Sequence, residues 1–440
     1  MPSKKITVKK SVGPKTILAV VGLGYVGLPL AVEFGKKGYH VIGFDKSSTK
    51  VTELKAGIER MNEVDPKELK RAKLDITDDP TRLKEAKIII VAVPTPVTKT
   101  NIPDLSILHA ATRIVGQHMS KGVIVTFEST VYPGATEEEC VPILEAESGL
   151  RYGRDFSVGY SPERVNPGDK DHTIPKIVKI VAGSDAKTLK TLSQLYGSII
   201  TAGIHEAPNI MTAEAAKVIE NCQRDLNMAM VNELSLICKR LGIRTVDVVD
   251  AAATKWNFHR YSPGLVGGHC IGVDPYYLVH KAKELGLHTD VLTAGRRIND
   301  HMPIHVAQLT IEGLAEADRN IRNAVVLVLG LSFKENVKDT RNAKITLTIN
   351  ELQRFGIEVI GHDPLIEESD LHDYPVIRFY PTLPNDLIVD AVILAAGHDL
   401  FQSLNAKRIQ TLHGSKVPVV IDVRNFFSPK IAGDGIYKTL

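Results

Sequence analysis

Cys270 stands in the run GLVGGHCIGVDP, with Gly264, Gly267 and Gly268 before it and Gly272 after it. Glycines let a backbone come close to a ligand, so a thiol in such a run is placed for chemistry as well as for packing. Asp274 follows Cys270 by four residues, and Lys217 and Asn221 are four apart in a helical pattern, so the members of each pair share a face. An ordinary thiol is only a few per cent ionised at pH 7 and needs a nearby cation or helix N-terminus to act as a nucleophile. Lys217 is the candidate cation. Spacing alone leaves each residue an ordinary reading as well: a solvated lysine, a surface amide, a small buried thiol. His269 and Cys270 lack the second CxxC, CxxH or HxxxH group that a structural zinc requires, so no metal is expected. Cys140, Cys222 and Cys238 read as core or partly buried thiols.

A second cluster lies near the N-terminus. Gly22, Gly24 and Gly27 form G-x-G-x-x-G between an apolar run and a helical pattern, and Asp45 closes the next apolar run. Gly22 permits the tight turn, Gly24 admits a pyrophosphate against the backbone, and Gly27 lets helix pack on strand. The helix N-terminus favours the anion. Asp45 then accepts hydrogen bonds from ribose hydroxyls and repels a 2′-phosphate, which favours NAD over NADP, although Lys46 follows it. Thr95 in VAVPTP and Ser129 and Thr130 in FESTVYPGAT fall at strand ends, where their hydroxyls serve either a ligand or plain turns.

These residues need a scaffold, and the chain supplies one. From Thr16, β-branched runs (ILAVVG, HVIGFD, IIIVAV, VIVTF, KIVAG) alternate with amphipathic segments, which predicts a parallel sheet with crossover helices. From about Ala207 a long helical stretch runs to Gly242, no strand-like run follows until well past Gly286, and a second strand-turn-helix-strand unit begins at Asn323. The expected fold is α/β: two Rossmann-like doubly wound parallel-sheet domains joined by a helical middle domain. The expected boundaries are 1–207, 208–318 and 319–440. The two α/β units look alike in layout without obvious sequence identity.

Composition fits a self-sufficient globular chain of 440 residues, 43% hydrophobic and 24% charged. A net charge of +3 argues against a nucleic-acid surface and leaves an anionic small molecule as the better partner. Four cysteines without CxxC pairing favour a reducing compartment, read as the cytoplasm. No apolar run approaches the roughly 20 residues needed to span a bilayer, so no membrane partner is expected.

The motifs VVGLGYVGLPLA, VPTP, ESTVYPGAT, SPERVNPG, AEAAKVIEN, GLVGGHCIGVDPYYL and GLSFKENVKDTRNAK resemble, in order and over nearly the whole chain, the UDP-glucose and GDP-mannose dehydrogenases. The resemblance implies an NAD-dependent enzyme that oxidises a nucleotide sugar twice at C6, from alcohol to carboxylate. It makes Cys270 the nucleophile of a thiohemiacetal and then a thioester. Lys217 and Asn221 would stabilise the oxyanion, Asp274 with Thr130 would position or activate water, and Glu163 would act in thioester hydrolysis. A cation and an amide aimed at a developing negative oxygen agree with the reading from the residues alone. The cofactor set it implies is Gly22, Gly24, Tyr25, Val26, Gly27, Asp45, Thr95, Ser129, Thr130 and Arg341. For substrate it implies Glu163, Arg164, Lys217, Asn221, Arg260, Gly267 and Lys334. Lys334 and Arg341 at a strand-to-helix turn suit a diphosphate, although either also reads as a surface charge.

One segment departs from the UDP-glucose enzymes, which usually carry PEFLREG. Here PERVNPG puts Arg164 in place of the aromatic and Pro167 in place of a second glutamate. That resembles the N-acetylhexosamine branch, with UDP-N-acetylglucosamine or UDP-N-acetylgalactosamine as substrate and UDP-N-acetylmannosamine or UDP-glucose as alternatives. A homodimer or higher homo-oligomer built through the middle helix is implied. Two rivals remain at this level: a β-hydroxyacid dehydrogenase, which removes a single hydride and needs no cysteine, and a non-enzymatic NAD-binding protein.

Overall fold

A computed structural model describes residues 12–60, 63–165, 171–371 and 374–440. The chain forms two compact units. One runs through Glu220 and takes back Tyr276–Gly286; the other comprises Asn221–Pro275 and Leu287–Leu440.

The first unit is built on eight strands: β1 (Ile17–Val21), β2 (His40–Phe44), β3 (Asp75–Thr77), β4 (Ile88–Val91), β5 (Ile124–Phe127), β6 (Ser157–Tyr160), β7 (Lys179–Gly183) and β8 (Ile204–Glu206), in spatial order 3-2-1-4-5-6-7-8. Pairing is parallel from β3 through β6, antiparallel between β6 and β7, and parallel again to β8. The central strands are buried on both faces, which is why they read as unbroken apolar runs and not as alternating ones. The helix Gly27–Lys36 buries Leu28, Leu30, Ala31 and Phe34 against Leu18, Val20 and Val41.

The second unit carries six parallel strands: β9 (Val325–Leu329), β10 (Glu358–His362), β11 (Arg378–Tyr380), β12 (Ala391–Leu394), β13 (Val419–Asp422) and β14 (Ile436–Thr439), in order 11-10-9-12-13-14. The 27-residue helix Asp290–Glu316 lays Met302, Val306, Leu309 and Leu314 into the same core as Val326, Val328, Ile393, Val419 and Ile421. Gly313 allows this close approach, since a Cβ there would lie 2.9 Å from Val419 Cγ1. A helix from the middle of the chain thus belongs to the core of the C-terminal sheet.

In both sheets the strand order reverses at the first strand, where open α/β folds bind ligands. The device there is the same twice. Gly22 (φ +93°) donates its N–H to Phe44 O at 2.8 Å, and Gly330 (φ +82°) donates to His362 O at 2.9 Å. The next residue is held by a carboxylate at the end of the neighbouring strand: Leu23 N by Asp45 at 3.0 Å, Leu331 N by Asp363 at 2.8 Å. A Cβ would meet Ala92 O at 2.6 Å in the first case and Ala396 O at 2.4 Å in the second. Gly22→Ala and Gly330→Ala should therefore each destabilise the protein by about 2 kcal/mol or more, from positive φ plus the backbone clash. Thermal denaturation of both variants checks this.

Candidate functional site

The turn after β1 holds its three glycines for different reasons. A Cβ on Gly27 would lie 1.9 Å from Gly22 O, so helix and turn touch there. Around Gly24 a Cβ would meet nothing within 4 Å, and its φ lies outside the left-handed region. Gly24 therefore borders open space where the fold demands no glycine, as expected where a pyrophosphate must approach the backbone. Asp45 is buried and accepts from Leu23 N through Oδ2, from Ser47 N through Oδ1 at 3.0 Å, and from Lys50 Nζ through Oδ2 at 2.9 Å. A carboxylate offers about four lone-pair positions, so Oδ1 keeps one for a ribose hydroxyl. This open acceptor fits the adenosine ribose of NAD. The cation at Asp45 is Lys50, which sequence reading missed in favour of Lys46. Tyr25 and Val26 occupy the same turn, ahead of the helix that starts at Gly27.

The loops after β4 and β5 are stapled to each other by the hydroxyls singled out in the sequence. Ser129 Oγ donates to Val93 O at 2.7 Å and accepts from Val93 N at 3.1 Å, while Thr95 Oγ1 donates to Thr130 O at 2.6 Å. Tyr277, unsuspected from sequence, donates its hydroxyl to Thr95 O at 2.6 Å. Glu214, another residue missed, is fully buried and accepts from Gly134 N at 2.5 Å and Thr136 N at 2.9 Å, fixing the segment just beyond Thr130. Its place in AEAAKVIEN, three residues before Lys217, was the available signal. Burial pushes its pKa up to about 7.

Glu163 follows β6, and its Oε1 accepts from Arg164 N and Val165 N, each at 2.6 Å. Arg164 pairs with Glu220 at 2.8 Å and donates to Val178 O. Pro167 lies outside the described residues. Lys217 is buried on the helix Ile210–Leu241, one turn before Asn221.

In the second unit, Asn221 Nδ2 donates to Asp274 Oδ2 at 2.6 Å, and both side chains are buried. The half-buried Cys270 accepts through its backbone carbonyl from Val273 N and Asp274 N. The loop leading to it is clamped at two points. Asn232 exchanges hydrogen bonds with both backbone groups of Gly264, at 2.8 and 3.1 Å. Asn342 does the same with Gly268: its Nδ2 donates to Gly268 O at 2.6 Å, and its carbonyl accepts from Gly268 N at 3.2 Å. Gly267 and Gly268 are required, because a Cβ would strike Asn342 O at 2.5 Å or the Phe333 ring at 2.7 Å. Behind the loop, Asp225 accepts from Arg296 at 2.6 Å and from Asn299 at 2.8 Å, and Asn299 also binds Asn232. Burial pushes the Cys140 and Cys222 thiols up to about 12, which keeps them inert. Among the described residues no cluster of three or more His, Cys, Asp or Glu could hold a metal.

Lys334 and Arg341 lie on the segment between β9 and the helix Ile345–Arg354, which also carries Asn342 and Phe333. Arg341 forms a two-point pair with Asp339 at 2.7 and 2.9 Å and is largely exposed. Burial and the Arg341 guanidinium lower the pKa of His269, which favours its neutral form. Arg260 is exposed and pairs with Asp250.

Two outcomes follow from this geometry. Gly24→Ala should keep the melting temperature of the parent while weakening NAD binding about tenfold or more, because its methyl enters space that only the ligand needs; calorimetry of both properties checks this. Glu214 has a folded pKa raised from 4.5 to about 7, so its stabilising contribution is complete below about pH 4.5 and is lost as pH rises through 7. Glu214→Gln should accordingly show a shallower fall in unfolding free energy between pH 5 and 7 than the parent, as measured by denaturant titration.

Comparison with known proteins bears on the same regions. Residues 16–200 match the UDP-glucose/GDP-mannose dehydrogenase family, NAD binding domain; residues 211–301 match its central domain; residues 327–429 match its UDP binding domain. The chain is 48% identical over 409 residues to a UDP-N-acetyl-D-glucosamine 6-dehydrogenase of Pseudomonas aeruginosa, covering 92% of this chain and 96% of that protein. It is 46% identical over 398 residues to the Salmonella typhi protein of the same name, covering 89% and 92%. Among solved structures, a UDP-D-ManNAc dehydrogenase from Pyrococcus horikoshii superposes with a TM-score of 0.86 at 33% identity, covering 96% of this chain and 99% of that one. With its glycine-rich turn, its two sheets and its motifs in order, this chain belongs to the UDP-glucose/GDP-mannose dehydrogenase family.

Proposed function

We propose that this enzyme oxidises the C6 alcohol of UDP-N-acetylglucosamine or UDP-N-acetylgalactosamine to the carboxylate, by way of a thiohemiacetal and a thioester on Cys270. The observation that carries the reading is the Cys270 loop itself. It is a glycine-rich segment whose backbone is clamped by Asn232 at Gly264 and by Asn342 at Gly268, which holds a half-buried thiol at a fixed point. Preorganisation of this kind is what a covalent step requires.

NAD would supply the oxidising power, two molecules bound in succession each accepting one hydride. Overall, R–CH2OH, two NAD+ and water give R–COO−, two NADH and three protons. Cys270 adds to the C6 aldehyde, and its sulfur is released when water attacks the thioester. Lys217 and Asn221 are assigned to the oxyanion at C6, Asp274 with Thr130 to the ordering or activation of water, and Glu163 to hydrolysis of the thioester. These roles rest on the family motifs, supported by the burial of Lys217, Asn221 and Asp274 and by the 2.6 Å bond between the last two. Lys334 and Arg341 are assigned to the substrate diphosphate, Arg341 also to NAD, with Arg164, Arg260 and Gly267 completing the substrate set.

Residues 1–207 would then hold NAD, 208–318 the thiol and the subunit contact, and 319–440 the sugar nucleotide. A homodimer is supported by Ile219, Met230, Ile237 and Leu241, large apolar side chains exposed on the helix Ile210–Leu241. A cytoplasmic location is supported by the free cysteines. No helix among the described residues is long and apolar enough to cross a membrane.

The N-acetylhexosamine preference is supported by PERVNPG and by the names of the two relatives given above. A kinetic panel of UDP-N-acetylglucosamine, UDP-N-acetylgalactosamine, UDP-N-acetylmannosamine, UDP-glucose and GDP-mannose tests it. The first two should show the highest kcat/KM, and a preference for UDP-glucose would overturn the assignment. Cys270→Ala should abolish acid formation, by about a thousandfold or more, with NAD affinity little changed.

A further inference from the structure

Lys179 is the first residue of β7, and its side chain is only 6% exposed. Its ammonium lies 2.5 Å from Glu128 Oε2 and 3.1 Å from Pro162 O, and 3.6 Å from Glu163 Oε2. Glu128 is fully enclosed. Glu163 has one oxygen held by two backbone N–H groups, while Oε2 finds no hydrogen-bond donor among the described residues and faces the ammonium. Burial alone would lower the pKa of Lys179, but the Glu128 and Glu163 carboxylates outweigh it and hold the ammonium charged.

We propose that Lys179 is a positioning residue for thioester hydrolysis, a buried cation that holds the Glu163 carboxylate in place for proton uptake from water. The proposal rests on the assignment of Glu163 to that step. In the step, water oxygen bonds to the thioester carbon and the carbon–sulfur bond breaks with its electron pair going to Cys270 Sγ. Glu163 takes the proton that water loses. Glu163 also lines a cavity of about 420 Å³ with Tyr25, Pro29, Thr173 and Ile174.

A lysine serving only to neutralise Glu128 would make one pair. Here one ammonium serves two carboxylates, so Glu128 and Glu163 compete for it. Removing the cation and removing its competitor must then act on Glu163 with opposite sign. Other ionisable groups around this cluster are Arg164, next to Glu163 and paired with Glu220, and Tyr196, whose ring lies 5.4 Å from the Lys179 ammonium. Around the cavity stand Lys36, paired with Glu33 and Glu68, and the carboxylates of Glu63 and Asp65. None of these is altered in the test.

Decay of the Cys270-bound thioester in the full-length enzyme, followed by rapid quench and intact-protein mass across pH, reads the step directly. Lys179→Met should raise the pH at which hydrolysis reaches half its maximum by about one unit and let the thioester accumulate. Glu128→Gln should lower that pH, and Lys179→Arg should restore the parent profile. Limbs that stay in place, or that move the same way in Lys179→Met and Glu128→Gln, overturn the proposal. Should Lys179→Met fail to fold, Glu128→Gln decides alone, and a limb that stays or rises overturns it. Glu163→Gln separates the two claims. If it leaves hydrolysis unchanged, the role given to Glu163 fails; if it slows hydrolysis while the other limbs do not move oppositely, only the role given to Lys179 fails.

Discussion

Along the 32-residue helix Ile210–Leu241 runs a stripe of polar side chains withdrawn from water: Glu214, Lys217, Asn221, Asp225, Asn232 and Ser235. Their spacing of three, four or seven keeps them on one face. A buried polar group without a partner costs about 1–3 kcal/mol, more if charged, so such a stripe is tolerable only if other segments come to meet it. They do. Glu214 draws in the backbone at Gly134 and Thr136, Asn221 takes Asp274, Asp225 takes Arg296 and Asn299, and Asn232 takes Gly264. The loop that presents Cys270 is placed by these demands, and Asn342 closes it from the strand-to-helix segment of the C-terminal sheet. Polar groups that depend on one another in this way favour one arrangement of the loop over its alternatives.

The second organising device is the pairing of a positive-φ glycine with a carboxylate at the end of the adjacent strand, found at Gly22 with Asp45 and at Gly330 with Asp363. The two sites have diverged around it. Asp45 leaves an acceptor position open beside Lys50. Asp363 also accepts from Ser332 N and meets His398 Nε2 at 3.0 Å, while His398 Nδ1 accepts from Asn336 N. Burial favours a proton on Asp363, but His398 and the backbone N–H groups outweigh it and hold the carboxylate below its ordinary range. One carboxylate thus keeps an acceptor position open, and the other shapes the loop that carries Lys334.

Much of this was legible in the chain. The strands β1, β2, β4, β5 and β7 and the helices at Gly27 and Ile345 sit where apolar runs and glycine turns place them, because buried parallel strands and a G-x-G-x-x-G turn are local signals. Short strands such as β3, β8 and β11 were not visible: three residues carry no periodicity, and their pairing depends on distant neighbours. The reversal of β7 relative to β6 was equally hidden. On the helix, the four-residue spacing showed Lys217 and Asn221, and extending the same period would have added Glu214, Asp225 and Asn232. Their partners Arg296 and Asn299, and Asn342 at Gly268, lie at sequence separations that no spacing rule reaches. Lys179 was read as part of an apolar strand, and only the fold brings Glu128 and Glu163 to it.

The central claim is that one thiol carries a sugar through two successive oxidations. The most direct test is the stoichiometry of NADH formed per molecule of nucleotide sugar consumed to completion. Two NADH per sugar, with the carboxylate as product, is the result this account predicts. One NADH per sugar, with an aldehyde or ketone as product, would contradict it.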